Sequence, residues 1–541
     1  MAGAKVKKEQ LFKAAGIIAG ASILSKILGF FRETTLAAVF GATRETDAYL
    51  VASIIPWMLF SVVSTALTTT LIPVFTRRVH EEGEDAGQQF INTLLNFVFV
   101  FCLIMAGLGL LAAPLMIRLV APGFRGETFE LAVSLTRVLL PMMVFFGLAA
   151  IVTGFLQAQE RFTWPAIVGI PFNIIMILAI VFGGKCFGIT AAAVGTVLAT
   201  MSQLLVMAPG LKRARFRYRP VLNWYDPGFR QVGKLILPIL LATGAGQLGL
   251  IVDRMLASRL AEGSIAALNF GSRLTQLPLG IFVMAVTTVL YPTFSRCAAA
   301  HDLMGLRRAL VGGVRVSLFL TLPMAVGLIV LREPIVRVLF ERGAFDPRAT
   351  AMTAFAVLFF GIGLVPMALR EVISRVYFGL QDTVTPMLLG LGAVAVNIGL
   401  NFLLVKPLAH GGLALATSLA SAFAVAVLCE VLRRRLGGLG GREILDGTWR
   451  SCLAAGVMGL GAAWIWRLLG DFAAGQGFLV EAGVLGLTIC AGAGIYGLAS
   501  SLLGLPEVGL FLDFGRRAGK HLLSFNGRAS RFADRCSRSR S

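Results

Sequence analysis

Long apolar stretches recur along the whole chain, and they constrain the fold more than any other feature of the sequence. A helix needs about 20 mostly apolar residues to cross the hydrocarbon core of a membrane, and fourteen stretches meet that length. The sequence therefore predicts an all-α polytopic membrane protein with about 14 transmembrane helices. The stretches fall within residues 14–40, 47–75, 90–120, 130–157, 163–183, 187–210, 232–257, 265–292, 310–339, 350–379, 385–405, 411–433, 449–469 and 477–503.

The amino-acid composition fits a membrane protein and no soluble class. Hydrophobic residues make up 57% of the chain and charged residues 14%, whereas soluble chains average about 45–50% and 25%. So few charges could not cover a soluble protein of this length, and collagen, disorder and a disulfide scaffold are excluded as well. The net charge of +21 is assigned to cytoplasmic loops rather than to nucleic-acid binding, because the basic residues fall between the apolar stretches.

Basic residues are distributed unevenly between alternate loops. With the N-terminus placed in the cytoplasm, the even-numbered loops are strongly basic, and the odd-numbered loops carry only scattered cations such as Arg44, Arg125, Lys185 and Lys406. The positive-inside rule then places both termini in the cytoplasm and predicts an even number of spans. The first stretch is interpreted as a retained span and not as a signal peptide. The cations of the even-numbered loops are Arg77, Arg78, Arg161, Lys212, Arg213, Arg215, Arg217, Arg219, Arg296, Arg307, Arg308, Arg433, Arg434, Arg435 and Arg442.

The sequence lacks the motifs that several classes of enzyme and metalloprotein require. No loop is long enough to form a soluble domain, and the sequence contains no Walker motif, which argues against an ATPase. The seven cysteines and four histidines are scattered, which predicts neither a disulfide set nor a metal site. We expect no cofactor, no enzymatic activity and no nucleic-acid partner. The basic segment after Pro506 is expected to lie against anionic lipid headgroups.

An internal repeat with an offset near 220 residues runs through the first twelve stretches. Each copy would contain an even number of helices, so both copies would have the same orientation, as parallel pseudo-two-fold repeats around a central cavity do. The predicted domains are two six-helix lobes (1–220 and 221–440), two extra C-terminal helices (441–505) and a basic cytoplasmic tail (506–541). The residues that share the offset are Pro114 and Pro334, Gly123 and Gly343, Pro165 and Pro386, Pro56 and Pro278, and Asn173 and Asn397.

Charged residues in the first apolar stretch are candidates for a functional site. A charge at the bilayer centre costs about 2.5–3.5 kcal/mol on insertion scales, so such residues should face a cavity or pair with one another. Lys26 and Glu33 are seven residues apart and share a helix face, Arg32 adjoins Glu33, and Asp47 opens the second stretch. The alternative is that Arg32 and Glu33 lie at a helix end and extend to the membrane surface.

A polar stripe on the eighth stretch adds a second group of candidates. Asn269, Arg273 and Gln276 recur at helical spacing, and no acid close to Arg273 in the sequence neutralises it. Together with Lys26 and Arg32, this arginine predicts a cationic cavity. Such a cavity suits an anionic substrate, since the planar guanidinium binds phosphate well.

The remaining polar residues leave two interpretations open. Gln247 on the seventh stretch, like Asn269 and Gln276, could bind substrate, or it could join helices through hydrogen bonds. Glu371 and Arg375, one turn apart on the tenth stretch, form either a structural ion pair or part of a charge- or ion-coupling device. The other acids considered for coupling are Glu33 and Asp253.

Several short motifs occur together over nearly the whole chain. They are Ser25-Lys26-x-x-Gly29-Phe30-x-Arg32-Glu33, Phe40-Gly41, Thr46-Asp47-Ala48, Ala121-Pro122-Gly123-Phe124, Ser272-Arg273-Leu274 with Pro278, and Gln381-Asp382-Thr383-Val384-Thr385-Pro386. This combination resembles the MurJ/MviN family of bacterial lipid II flippases, within the MATE-like multidrug/oligosaccharidyl-lipid/polysaccharide exporter superfamily.

The resemblance implies a substrate and a mechanism. The substrate would be lipid II, an undecaprenyl-pyrophosphate that carries a disaccharide-peptide. It would move from the inner to the outer leaflet of the bacterial cytoplasmic membrane by alternating access, for peptidoglycan synthesis. The family's cavity cations correspond to Lys26, Arg32 and Arg273, its acid near the start of the second span corresponds to Asp47, and the last two spans would form a groove for the lipid tail.

Three positions depart from the family pattern. Lys26 stands where many members have arginine, Phe60 or Ser61 stands where some have a further arginine, and Gln276 replaces an acid. These look like variation between branches of the family. The expected partners are the anionic lipid-linked substrate, membrane lipids and cell-wall synthesis enzymes, and the chain is expected to be a monomer.

Two alternatives to lipid II transport are considered. The same fold could carry another polyprenyl-linked oligosaccharide or export small molecules, which an anionic cavity open to the cytoplasm would favour. A multispan glycosyltransferase acting on the same lipid would need a catalytic carboxylate in a substantial external loop. The external loops are short, so the sequence favours a transporter.

Overall fold

Long helices account for nearly all the regular structure. The computed structural model describes residues 2–473 and 475–509, and it contains no β-strand within these ranges. In the described chain, ten helical segments are long and apolar enough to cross a membrane; helices suit this environment because they satisfy their backbone hydrogen bonds internally. The predicted all-α polytopic fold is confirmed, whereas the count of fourteen spans stays a prediction. From residue 510 onward, the predicted basic tail lies outside the described residues.

Proline and a π-helical turn interrupt the helices of the N-terminal half. Pro141 separates two helices within the predicted fourth span, since proline lacks the backbone N–H that a continuing helix requires. A π-helical turn at Ala179–Gly183 lies within the predicted fifth span. The helices are α1 (Ala2–Phe40), α2 (Arg44–Glu82), α3 (Glu84–Val120), α4 (Gly126–Leu139), α5 (Met142–Ala158), α6 (Thr163–Ile167), α7 (Gly169–Leu178), α8 (Gly184–Phe187) and α9 (Thr190–Arg213).

The C-terminal half contains the longest helix, and that helix is broken. Ala409 within it has a non-helical backbone (φ 46°, ψ −129°), so the predicted eleventh and twelfth spans lie on either side of the break. A second π-helical turn, Leu279–Val283, follows Pro278. The helices are α10 (Pro227–Ala257), α11 (Ser264–Pro278), α12 (Met284–Ala299), α13 (Leu303–Val330), α14 (Arg332–Phe340), α15 (Pro347–Gly379), α16 (Val384–Leu436), α17 (Gly441–Ala473) and α18 (Phe478–Leu502).

The same turn follows α5 and α15. Glu160 and Gln381, 221 positions apart, have left-handed φ angles of 59° and 61°. In each case the backbone N–H of the next residue, Arg161 or Asp382, bonds to the carbonyl oxygen five residues earlier, at 2.8 and 2.9 Å. Non-glycine residues adopt this conformation uncommonly. Arg215 and His301 adopt the same turn after α9 and α12, so the turn is a common helix ending in this chain, and the repeat and its lobe boundaries stay a prediction.

Two compact units make up the chain, and they are interleaved in sequence. The first unit comprises the chain up to Leu274 together with Leu339–Phe359 and Gly390–Ala420. Its apolar core is drawn from α2, α3, α5 and α9 and includes the fully buried Phe90 and Phe155. This unit holds the charged residues of the first two predicted spans.

The second unit comprises Thr275–Val338, Phe360–Leu389 and the described residues from Ser421 onward. Phe294 and Tyr377 are fully buried in its core. Burial of a tyrosine requires a partner for its hydroxyl group, and the Tyr377 hydroxyl donates to a backbone carbonyl of α16 at 2.8 Å.

The last two helices pack against each other and against α13 in the second unit. The hydroxyl of Tyr496 on α18 donates to the carbonyl oxygen of Phe319 on α13 at 2.8 Å. Just after α18, Glu507 is buried and forms an ion pair with Arg315 of α13 at 2.6 Å. These contacts attach the C-terminal helix pair to α13. The proposed groove for a lipid tail between these helices stays a prediction.

Candidate functional site

Glu33, near the C-terminal end of α1, is the centre of a cluster of charged and polar side chains. Its side chain is only 7% exposed, and both oxygens have partners. Oε1 accepts a hydrogen bond from Arg32 Nη2 at 2.6 Å and lies 3.6 Å from Arg273 Nε. Oε2 accepts a hydrogen bond from Asn269 Nδ2 at 3.2 Å. We call Arg32, Glu33, Asn269 and Arg273 the Glu33 cluster; it joins α1 to α11.

Helical spacing explains why Asn269 and Arg273 reach the same carboxylate. The two residues are one turn apart on α11, so their side chains lie on the same face. No acid close to Arg273 in the sequence neutralises it, and its partner Glu33 is supplied by a different helix. Inspection of the neighbouring sequence cannot detect a partner 240 positions away.

The Glu33 cluster retains a positive charge after pairing. Two guanidinium groups share one carboxylate, and the Arg32 and Arg273 side chains stay 23% and 42% exposed while Glu33 is almost fully covered. Each guanidinium has more donors than a single carboxylate can occupy. The arrangement can therefore accept an anion such as a phosphate at the exposed sides of the two arginines.

Lys26 lies on α1 but apart from the Glu33 cluster. It is exposed, and the seven residues between it and Glu33 correspond to about 10 Å along a helix axis. The neighbouring Ser25 carbonyl oxygen accepts a hydrogen bond from Asn173 of α7 at 3.1 Å, and a side chain at Gly29 would meet Asn173 at 3.7 Å. Asn173 therefore joins α7 to α1.

Asp47 caps the N-terminus of α11. It is 5% exposed, and its two carboxylate oxygens accept from the backbone N–H groups of Gly263 and Ala266 at 2.8 and 2.7 Å. These groups have no partner within a helix, and a carboxylate at this end is favoured by the helix dipole. In this structure Asp47 is engaged by the protein itself, and its role in substrate binding stays a prediction.

Glu262 makes the reciprocal contact, and the sequence analysis missed it. Its carboxylate accepts from the backbone N–H of Arg44, the first residue of α2, at 3.0 Å. The helices α2 and α11 begin 220 positions apart, at Arg44 and Ser264, but the offset pairs Glu262 with Ala42 and Asp47 with Ala267, so the repeat does not reveal this acid. Asp47, near the start of α2, was a candidate in the sequence, whereas Glu262, just before α11, was not.

Two glycines of the repeat make equivalent close approaches beside these caps. A Cβ atom at Gly343 would lie 2.2 Å from the carbonyl oxygen of Ala38, and a Cβ atom at Gly123 would lie 2.1 Å from that of Ser258. The two glycines are 220 positions apart, and so are Ala38 and Ser258. This end of the first unit is therefore closed by a pair of symmetry-related contacts that admit no side chain.

Asp253 belongs to a separate polar group that joins α10 to α16. Asn401 Nδ2 donates to Asp253 Oδ1 at 2.6 Å and to Asn397 Oδ1 at 3.1 Å, and Asn397 Nδ2 donates to the hydroxyl of Thr417 at 3.3 Å. Asn401 is fully buried. These amides join helices, and the assignment of Asp253 to ion or charge coupling stays a prediction.

The remaining candidate residues lie on α10, α11 and α15 and differ in how exposed they are. Gln247 is half-buried on α10, and Gln276 is exposed one turn after Arg273 on α11. In the second unit, Glu371 and Arg375 form an ion pair of 3.8 Å on α15, with side chains 59% and 37% exposed. The pair is the one that sequence spacing predicts, and its role in coupling stays a prediction.

Comparison with known proteins identifies the family. Residues 36–481 match the sequence profile of the family described as "Lipid II flippase MurJ". The chain is similar to the "Probable lipid II flippase MurJ" of Rhizobium tropici, with 31% identity over 91% of this chain and 94% of that protein. It is also similar to the "Lipid II flippase MurJ" of Burkholderia cenocepacia, with 29% identity over 79% of this chain and 84% of that protein.

Solved structures agree with the sequence comparisons. A structure described as "Lipid II flippase MurJ, inward closed conformation" superposes with a TM-score of 0.74 and 26% identity, over 88% of this chain and 98% of that chain. An inward-facing MATE family multidrug transporter superposes with a TM-score of 0.65 and 16% identity, over 79% of this chain and 98% of that chain, which indicates a shared fold. Taken with the sequence profile, these likenesses establish a multi-pass bacterial membrane protein, and the chain belongs to the lipid II flippase MurJ family.

Proposed function

We propose that the protein is a flippase for lipid II, the undecaprenyl-pyrophosphate that carries a disaccharide-peptide. It moves this precursor from the inner to the outer leaflet of the bacterial cytoplasmic membrane, for peptidoglycan synthesis. Membership of the MurJ family supports the substrate class, and relatives from two bacteria are named for the same activity. The protein is a transporter and not an enzyme, and it needs no cofactor.

The excess positive charge of the Glu33 cluster is the observation that carries the proposal. Two arginines within apolar helices are costly without a counter-ion, and Glu33 lowers that cost when no substrate is bound. A pyrophosphate that approaches the exposed sides of Arg32 and Arg273 adds negative charge beside two guanidinium groups that share one carboxylate. Bidentate hydrogen bonds from the guanidinium groups would then orient the headgroup. Lys26 provides a further cation on the same helix.

The closed end of the first unit supports alternating access. The helix caps made by Asp47 and Glu262 lie beside the close approaches of Gly123 and Gly343. In the proposed topology, with both termini in the cytoplasm, this end faces outward. Release of the substrate to the outer leaflet then requires these hydrogen bonds to break, and their re-formation returns the carrier to the inward-facing state.

Depletion of the protein tests the proposal. In cells without it, we expect lipid II to stay protected from reagents added outside, and expression of the intact chain should restore access. If lipid II stays accessible after depletion while a different polyprenyl-linked oligosaccharide accumulates inside, the alternative substrate is favoured. We further propose that the chain acts as a monomer and meets cell-wall synthesis enzymes as the consumers of its product.

A further inference from the structure

An extended segment between α9 and α10 is held against α3 by a row of amide side chains. We call this segment, residues 215–221, the strap. Gln88, Asn92 and Asn96 lie at successive turns on one face of α3. Asn92 and Asn96 are 1% and 8% exposed. Their side chains bond to the strap backbone as a neighbouring β-strand would.

The hydrogen bonds of the strap form a regular series. Gln88 accepts from the N–H of Arg217 at 3.2 Å and donates to the carbonyl oxygen of Arg215 at 3.3 Å. Asn92 accepts from the N–H of Arg219 and donates to the carbonyl oxygen of Arg217, both at 2.9 Å. Asn96 then donates to the carbonyl oxygens of residues 219 and 221, at 3.1 and 2.9 Å.

The axial spacing of side chains on a helix nearly equals that of an extended chain, and this match explains the geometry. Residues four apart on a helix are separated by about 6 Å along its axis, and residues two apart on an extended chain are separated by about 6.6 Å. An amide at every fourth position of α3 can therefore contact every second residue of the strap. The contacts fix the backbone and leave the arginine side chains outside the series.

Phe216 and Tyr218 of the strap contact neighbouring residues, although Tyr218 stays 63% exposed. Phe216 packs on Phe155 of the core, with ring centroids 5.3 Å apart, and the hydroxyl of Tyr218 donates to Asn96 Oδ1 at 2.8 Å. Arg217 and Arg219 are exposed. They are two residues apart on an extended chain, so their side chains lie on the same face of the strap.

The strap lies in a strongly basic part of the sequence. Lys212, Arg213 and Arg215 precede the two exposed arginines in the sequence and are exposed as well. Asp226, the only acid between Lys212 and Arg230, is 2% exposed and receives two hydrogen bonds from Arg78. Within the described chain, no ion pair engages the side chains of residues 215, 217 or 219.

Exposed aromatic residues adjoin the strap. Trp224 is 61% and Tyr225 is 77% exposed. Trp224 packs on Phe97 of α3 with ring centroids 5.2 Å apart, and the Tyr225 ring lies 5.0 Å from the guanidinium of Arg230. Tryptophan and tyrosine favour the interface between membrane and water. The strap therefore lies beside residues suited to the depth of lipid headgroups.

We propose that the strap is a docking surface for anionic phospholipid headgroups. The hydrogen bonds from α3 order its backbone in advance, so that binding does not have to order the segment. Arg217 and Arg219 then present two guanidinium forks on one face, and such forks bind phosphate groups well. The proposal does not depend on which substrate the protein transports.

Lipid retention in nanodiscs tests the proposal. The full chain is reconstituted with a minority of phosphatidylglycerol in phosphatidylcholine, and bound phosphatidylglycerol is counted by native mass spectrometry. In the double variant Arg217→Gln/Arg219→Gln, the apparent affinity should fall about fivefold per arginine, as expected for a charge at an anionic surface. The matched control is Arg433→Gln/Arg434→Gln, which removes the same charge where Glu430 already pairs with both arginines; it should retain the affinity.

A further variant and a competition experiment identify the ligand that binds to the strap. Asn96→Ala keeps every cation and should lower the affinity while speeding amide hydrogen exchange at 219–221, provided that the thermal midpoint stays near that of the unmodified chain. Inorganic phosphate should compete poorly with the lipid. Equal loss in the matched control, unchanged retention in the strap variant, or full competition by inorganic phosphate would each overturn the proposal. The proposal would also be overturned if the strap variant lost affinity only for a lipid-linked diphosphate and kept its affinity for phosphatidylglycerol.

Discussion

Asp47 and Glu262 each cap the helix that begins beside the other. Asp47, in the first turns of α2, accepts hydrogen bonds from the backbone of Gly263 and Ala266 at the start of α11. Glu262, just before α11, accepts from Arg44 at the start of α2. The two helix starts are therefore joined reciprocally, and each carboxylate satisfies N–H groups that a helix leaves without partners.

Removal of either carboxylate should weaken this junction. We expect Asp47→Ala to lower the free energy of unfolding by about 0.5–2 kcal/mol, as loss of an N-terminal cap does, and Asp47→Asn to have a smaller effect because its oxygen still accepts. Glu262→Ala should cost less, since Glu262 is exposed. Thermal unfolding of the purified protein measures these differences. A midpoint for Asp47→Ala equal to that of the unmodified chain would contradict the capping role.

A methyl group at Gly123 or Gly343 should prevent the close approach beside the caps. The new Cβ would lie 2.1 or 2.2 Å from a carbonyl oxygen, and Gly343 also has a φ of +62°, which is strained for alanine. We expect faster amide hydrogen exchange at 41–44 and 262–266 and reduced transport in both alanine variants. Gly107→Ala is the matched control, because α3 leaves open space at that position. Equal exchange in all three variants would count against a closed end made by these glycines.

The arginines of the Glu33 cluster should be essential for transport. Arg32→Ala and Arg273→Ala should each fail to support growth of a depleted strain although the protein still inserts, because each removes one of the two guanidinium groups. Glu33→Gln should lower stability, since it removes the carboxylate that the two arginines share. Lys26→Arg retains the charge and serves as the tolerated control. Normal growth with both alanine variants would exclude the anion site.

External labelling should follow the proposed topology. In a background without the seven native cysteines, single cysteines at Arg125 and Asp346, both exposed, should react with a membrane-impermeant reagent in intact cells. Cysteines at Arg217 and Arg434 should react only after the cells are opened. Reaction of the Arg217 position from outside would reverse the orientation and would also place the strap in the outer leaflet.

Energy coupling should depend on the membrane potential. A cationic carrier that returns inward empty is driven by an inside-negative potential, worth about 2.3 kcal/mol per charge at 100 mV. Flipping in vesicles should therefore slow when the potential is clamped to zero with the sodium and proton gradients held constant. A rate that ignores the potential and follows one ion would contradict this, most directly if Asp253→Asn or Glu371→Gln removes the ion dependence.

Local sequence was sufficient to predict the helices and the family. The apolar stretches, the spacing of Asn269 and Arg273 on one face, and the ion pair of Glu371 with Arg375 all follow from residues close together in the chain. The repeat offset near 220 also anticipated the equivalent positions of Gly123 and Gly343. Each of these features is encoded by helical periodicity or by recurrence of the same motif.

Contacts between distant segments were beyond the reach of the sequence. Arg273 has no acid close to it in the sequence, yet it lies 3.6 Å from Glu33, because the fold brings α11 beside α1 at this point. Gln88, Asn92 and Asn96 gave no recognisable signal, since polar residues near a helix start are common. Only the position of the strap beside α3 shows what these amides bind.

Apolar length, helical spacing and motif content are enough to identify a helical, multi-pass membrane protein of one transporter family. Residues in a membrane must satisfy their backbone hydrogen bonds within a helix, so apolar length and periodicity are enough to define the elements. Which groups pair with the charged side chains depends on how the helices are arranged in space. Glu33, Asp47 and Glu262 acquire their roles from helices more than 200 positions away, because the attraction of a carboxylate depends on distance in space and not on separation along the chain.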